Sequence, residues 1–176
     1  MPLTNTANVT NMDYMFAGCT SLVNAPELDT SAVTSMKHMY EGDTNLSMVP
    51  ESDTSKVKSF EYAFAGCTSL SEDFPIDNNG GCYALDLAGV ESIDGLTGMF
   101  DNTKVSVIHV KNVCPEIREK VNQIKFSMDI KGHYLYIHEA NGTLTVVEHI
   151  VGSGSVKYLN NNQHISEAQF IQLGRQ

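Results

Sequence analysis

At 176 residues, with 41% hydrophobic and 18% charged side chains, the chain can bury a substantial core and is too apolar to remain disordered. A net charge of −10 argues against sequence-independent binding to nucleic acid or to an anionic membrane, because both partners need a concentrated positive field. The charge is uneven: residues 1–100 carry three basic and 14 acidic side chains, net −11, whereas residues 101–176 carry eight basic and seven acidic, net +1. No stretch approaches the roughly 18 apolar residues of a spanning helix, and Met1-Pro2-Leu3-Thr4-Asn5 lacks the basic and apolar regions of a secretory signal.

An internal repeat dominates the first hundred residues. Val9, Val33 and Val57 lie 24 residues apart, each followed by one apolar rhythm. Met12, Met15, Phe16, Cys19 and Leu22 return as Met36, Met39, Tyr40, Asp43 and Leu46, then as Phe60, Ala63, Phe64, Cys67 and Leu70. The string Ala17-Gly18-Cys19-Thr20-Ser21-Leu22 recurs unaltered over residues 65–70. A fourth copy, Ile93, Leu96, Met99 and Phe100, starts 36 residues after Val57, which places an insertion of about half a repeat within Asp77-Asn78-Asn79-Gly80-Gly81-Cys82.

Within a unit, apolar offsets of 0, 3, 6 and 7 predict a helical turn that Gly18 or Gly66 helps to end. Leu22 to Leu28, Leu46 to Glu51 and Leu70 to Ile76 read as brief extended segments, each broken by a proline. Asp29-Thr30-Ser31 and Asp53-Thr54-Ser55 are suited to bond nearby backbone N–H groups and fix the turn before each helical segment. An acidic ladder holding calcium is the sharper alternative there, but no calcium-loop pattern accompanies it. One unit cannot bury its own apolar side, so neighbours must stack. The expected fold is an α/β repeat solenoid, leucine-rich-repeat-like, of about four units of roughly 24 residues, followed by a small β-hairpin-containing region. The expected domains are residues 1–125, ending in a capping helix, and residues 126–176.

The phrase Asn8-Val9-Thr10-Asn11-Met12-Asp13-Tyr14-Met15-Phe16, with Cys-Thr-Ser-Leu after it, resembles the BspA-like leucine-rich repeats of bacterial surface proteins over about residues 5–113. Similar repeats occur in adhesins and in phage tail or fibre proteins. The resemblance implies a non-enzymatic protein- or glycan-binding module displayed on a bacterial cell or a phage. The alternative it leaves is a structural virion component, with the repeats as a rigid spacer. Exposed strand positions Val23, Asn24, Glu27, Met48, Glu51, Glu72 and Asp73 would form a shallow acidic binding surface. The first layer, around Val9, Met12 and Phe16, has no covering neighbour in this reading, so an oligomer or larger assembly is expected to cover it.

Downstream, Val105 to Val110 reads as the last rung, and Cys114 to Ile124 as a helix with proline in its first turn. His133 to Ala140 and Thr143 to Ile150 flank Asn141-Gly142, a hairpin signal. A two-residue turn there sets Ile137 against Val146 and buries Leu135, Ile137, Leu144, Val146 and Ile150. Tyr134 and Tyr136 join His138, Thr145, Val147 and His149 on a contact surface. Gly152-Ser153-Gly154-Ser155 reads as a flexible turn, and Ser166 to Leu173 as a short helix capped by Ser166.

No catalytic constellation stands out, so the chain is read as no enzyme, with no cofactor and no metal site. His133 and His138 should point to opposite faces of their strand, and His138 and His149 share a face without a third ligand. Cys19 and Cys67 occupy the repeat's core position as small hydrophobes. With Cys82 and Cys114 they form no CxxC pair, so no disulfide framework is expected.

Overall fold

The computed structural model describes residues 5–77, 80–124, 133–149 and 155–175. Its repeated part is built from turns. Within the first unit, i to i+3 bonds run from Met15 N to Met12 O, Ala17 N to Tyr14 O and Cys19 N to Phe16 O, so successive β-turns overlap. The intervening amides point out of the unit: Met12, Tyr14, Phe16 and Gly18 N–H donate to Ser35, Lys37, Met39 and Glu41 O at 2.8–2.9 Å. The second unit donates in the same way to Ser59, Glu61, Ala63 and Ala65, and the third to Gly95, Thr97, Met99 and Asp101. The fourth layer therefore accepts its neighbour despite its displacement in sequence.

The expected α/β repeat solenoid is overturned. The described residues hold two short α-helices, both after residue 114, and their seven strands form one mixed sheet. The helical expectation failed for a definable reason. The amides that an α-helix would direct along the chain are donated to the next layer instead, and Tyr14, His38 and Tyr62 take left-handed backbone, with φ of 59°, 55° and 53°. Right-handed helix cannot pass through such a residue. The apolar offsets record which side chains face inward along a string of turns.

Packing between layers proceeds in columns. Phe16, Tyr40, Phe64 and Phe100 stack at centroid spacings of 5.4, 5.4 and 5.7 Å, with Phe74 edge-on to the last pair. Tyr14, His38 and Tyr62 form a second stack nearer the surface. At the next layer that column meets Gly98, where a Cβ would intrude on the Tyr62 ring. The turn-fixing role of the Asp-Thr-Ser phrases is as expected: Asp29 Oδ1 accepts from Ser31 N, Asp53 Oδ1 from Ser55 N, and Thr30 Oγ1 donates to Asp53 O of the next layer.

Strands β1 (Asp73–Phe74) and β2 (Leu85–Asp86) pair in parallel with the two ends of β3 (Val107–Lys111). On its other side β3 pairs in parallel with β4 (His133–His138). Antiparallel neighbours β5 (Leu144–His149), β6 (Val156–Asn160) and β7 (Gln163–Ile165) complete the sheet. Helix α1 (Pro115–Glu119) carries proline at its start, and α2 (Glu167–Leu173) has a capping box between Ser166 and Gln169. The boundary expected at 125/126 lies outside the described residues, as do most of the Gly152–Ser155 turn and Asn78-Asn79 of the inserted loop.

The hairpin register is corrected by one residue. Gly142 N bonds Glu139 O, Glu139 N bonds Thr143 O, and Gly142 takes φ 81°, so the turn holds three residues with glycine in the left-handed position. Ile137 consequently faces Thr145, and Leu135 faces Val147. A one-residue slip exchanges the faces of a strand. Thr145 and Val147 are buried, Leu144 and Val146 lie outside, and His149 turns inward.

Candidate functional site

The outer face of the sheet collects the side chains best placed for contact. Registers align Asp73, Val107, Tyr134, Glu148 and Lys157 in one row, and His109, Tyr136, Val146, Leu159 and His164 in the next. A third row holds Asp86, Lys111, His138 and Leu144. Alternation makes this inevitable: Ile108, Val110, Leu135 and Ile137 are the buried partners, so the residues between them face outward. Tyr134 is 38% exposed.

Contacts within the rows hold the rings in place. Tyr134 and Tyr136 meet edge-on, and His109 lies edge-on to Tyr136. His109 Nδ1 is 3.0 Å from His138 Nε2 across the β3–β4 pair. One nitrogen must carry the proton and the other accept it, so this bond requires at least one neutral ring. Burial holds the His109 pKa below its usual 6.5, His138 lowers it further, and Asp73 opposes both.

Beside the third row lies a cleft of about 410 Å³, lined by Asn112, Arg118, His138, Glu139, Asn141 and Leu173 among others. Its wall is a buried ion pair. Arg118, 2% exposed, donates to Glu139 Oε2 at 2.6 Å and to Val113 O at 3.3 Å, and its guanidinium lies over the Phe170 ring. Glu139 Oε1 accepts from Thr145 Oγ1 at 2.7 Å. These pairings tie α1, the hairpin turn and α2 together and fix the shape of the cleft.

Of the residues anticipated from sequence, Asp73, Tyr134 and Tyr136 are brought together on this face. Asn24 and Met48 pair as an isolated parallel bridge in the layered part. Val23, Glu27, Glu51 and Glu72 are exposed, and no described side-chain hydrogen bond or ion pair joins them to the sheet residues. His138 and His149 do not share a face. His149 stacks on His133 at a centroid distance of 4.1 Å on the inner side, and burial pushes the His133 pKa down to about 4. Sequence reasoning missed the His109–His138 pair, although the alternation of both strands carried its signal. It also missed Arg118–Glu139, for which no local pattern exists.

Among the described residues no group of three or more His, Cys, Asp or Glu could hold a metal ion, and no helix is long and apolar enough to cross a membrane. No curated protein matches the chain. No solved structure matches it either. A family model described as "Mycoplasma protein of unknown function, DUF285" matches residues 3–112, the layered part and β3. That match spans more than half of the sequence, and the chain belongs to the DUF285 family.

Proposed function

We propose that this chain is a non-enzymatic recognition module that holds a protein or a glycan on the outer face of its sheet. The observation that carries this reading is the juxtaposition of Tyr134, Tyr136, His109 and His138 beside the polar cleft at Arg118 and Glu139. Aromatic rings offer large contact area at low entropic cost, and polar groups at the edge supply orientation. The resemblance of the repeats to the BspA-like type supports display on a bacterial cell or phage surface.

The test uses immobilised extracellular-matrix proteins and a glycan array, probed with the whole chain and with Tyr134→Ala/Tyr136→Ala. Binding that falls by roughly tenfold or more in the double variant, at unchanged thermal stability, is expected. Equal binding by both proteins, or none by either, defeats the reading. A structural role in a virion is the second reading. It is favoured by the apolar side chains left bare in the first layer, among them Tyr14, Met15 and Val23.

A further inference from the structure

Strand β3 runs on into α1 and β4 into the hairpin turn, so these parallel neighbours diverge at their carboxyl ends and leave the cleft of about 410 Å³ between them. Three exposed polar side chains that line it are each anchored at one end and free at the other. Asn112 Nδ2 donates to Asp86 Oδ2 at 2.7 Å, and its Oδ1 accepts from no described residue. Asn141 Oδ1 accepts from Thr143 N at 3.0 Å and from Thr143 Oγ1 at 2.8 Å, and its Nδ2 donates to no described residue. His138 is engaged through Nε2 by His109, which leaves Nδ1. The anchors fix these side chains in advance, so a ligand need not order them.

The ion pair in the wall is closed to further charge. All three guanidinium nitrogens of Arg118 have acceptors, in Val113 O, Phe170 O and Glu139 Oε2, and both oxygens of Glu139 have donors, in Arg118 and Thr145. An incoming carboxylate or phosphate would find the guanidinium fork occupied and would lie against Glu139, and an incoming ammonium would lie against Arg118. Neither partner can turn away without leaving a buried charge unpaired, since their side chains are 2% and 9% exposed. The cleft therefore selects for a ligand without charge. Val113, Ala140 and Leu173 add apolar wall. Hydroxyl groups both donate and accept, so a polyhydroxylated ring satisfies Asn141 Nδ2 and Asn112 Oδ1 alike and keeps a C–H face for the apolar side. The volume falls toward the small end of the roughly 300–1,000 Å³ span of small-molecule sites, which suits a single sugar ring.

We infer that this cleft binds a neutral hexose ring, either as a free sugar or as the terminal residue of a glycan. Asn141 Nδ2 donates to one hydroxyl, Asn112 Oδ1 accepts from another, and the C–H face lies on Leu173. The inference rests on the reading of the sheet face as a recognition surface and names the ligand class of the cleft beside it.

The isotopically labelled full chain is titrated with glucose, galactose, mannose and N-acetylglucosamine, and with glucuronate and glucosamine as charged counterparts, while NMR follows the side-chain amides of Asn112 and Asn141. At least one neutral sugar should shift both amides saturably at millimolar concentration, with its charged counterpart weaker by roughly tenfold or more. Asn141→Asp keeps the acceptor for Thr143 but replaces the free donor with a charged acceptor, and should weaken binding by roughly tenfold or more at unchanged Tm. Ala140→Trp, at an exposed position, should fill the cleft and abolish the response. Preference on a glycan array for chains ending in the responding sugar identifies a glycan terminus as the source, and absence of that preference identifies the free sugar. No shift with any neutral sugar, or an equal response to the charged counterparts, overturns the inference, even where array binding still depends on Tyr134 and Tyr136. A sugar response at both amides alongside array binding indifferent to those tyrosines upholds the cleft and removes the sheet-face reading instead.

Discussion

Asp43 sits where the units on either side place Cys19 and Cys67, and cysteine in its place should stabilise the protein at neutral pH. The side chain is 0% exposed, and neither carboxyl oxygen hydrogen-bonds a described residue. Burial pushes its pKa from 3.8 up to about 6; the Cys19 N–H, already bonded to Phe16 O at 2.9 Å, offsets this only in part. That displacement corresponds to at most about 3 kcal/mol, and roughly 2 kcal/mol once screening by nearby water is allowed for. The sign follows from proton binding. The native carboxyl keeps its proton to about pH 6 and the unfolded one loses it near 3.8, so stability falls as pH rises through that interval and the penalty is complete above it. Asp43→Cys removes the buried charge, and the new thiol can donate to Phe16 O as Cys67 Sγ donates to Tyr40 O at 3.0 Å. Urea unfolding under reducing conditions should show the variant ahead by roughly 2 kcal/mol at pH 7.5, with Tm raised by about 4–8 °C, and level with its parent near pH 4. Equal stabilities at pH 7.5, or a difference that does not change with pH, would refute the reasoning.

His133 and His149 act in the opposite sense: burial lowers both pKa values, so the stability they permit is lost as pH falls from about 6.5 through their native values, and His133→Phe should flatten the acid limb of the urea-unfolding profile. Arg118→Met leaves Glu139 buried without its partner and should cost about 3–5 kcal/mol, with Arg118→Met/Glu139→Gln recovering part of the loss in a double-mutant cycle. Gly98→Ala sets a Cβ against the Tyr62 ring at a φ of 62° and should lower stability by roughly 1–3 kcal/mol in thermal denaturation. His138→Phe removes the smaller of the two influences that hold the His109 pKa below 6.5, so NMR of the ring nitrogens should show His109 titrating at a higher pH in the variant than in its parent.

The layering was legible because a repeat shows its period directly: Val9, Val33 and Val57 mark three equivalent places, and the parallel bridge between Asn11 and Ser35 is that period seen in the backbone. The local conformation was not legible. Tyr14 carries no sign of its left-handed backbone, which is held by bonds to a layer 23 residues away. Asn141-Gly142 announced a hairpin, and the choice between two-residue and three-residue turns then decided which of Val146 and Val147 entered the core. Local capping was read correctly at Ser166, where all partners lie within three residues. Of the sheet face, the β4 residues could be named, but that β3 would lie parallel beside them and bring His109 to His138 depended on chain far away in sequence.

The overlapping turns have an electrical consequence. The peptide planes 11–12, 13–14, 15–16 and 17–18 all point their N–H groups toward the second layer, and each later turn aligns its planes likewise. An ordinary parallel strand alternates its peptide orientation, so its dipoles largely cancel. Here they add through successive layers, as they do along a helix, with only isolated amides such as Thr34 and Lys58 opposed. The Asn11 end of the stack therefore carries a partial negative potential even where its surface is apolar, and anything approaching it meets a field that orients N–H groups before contact.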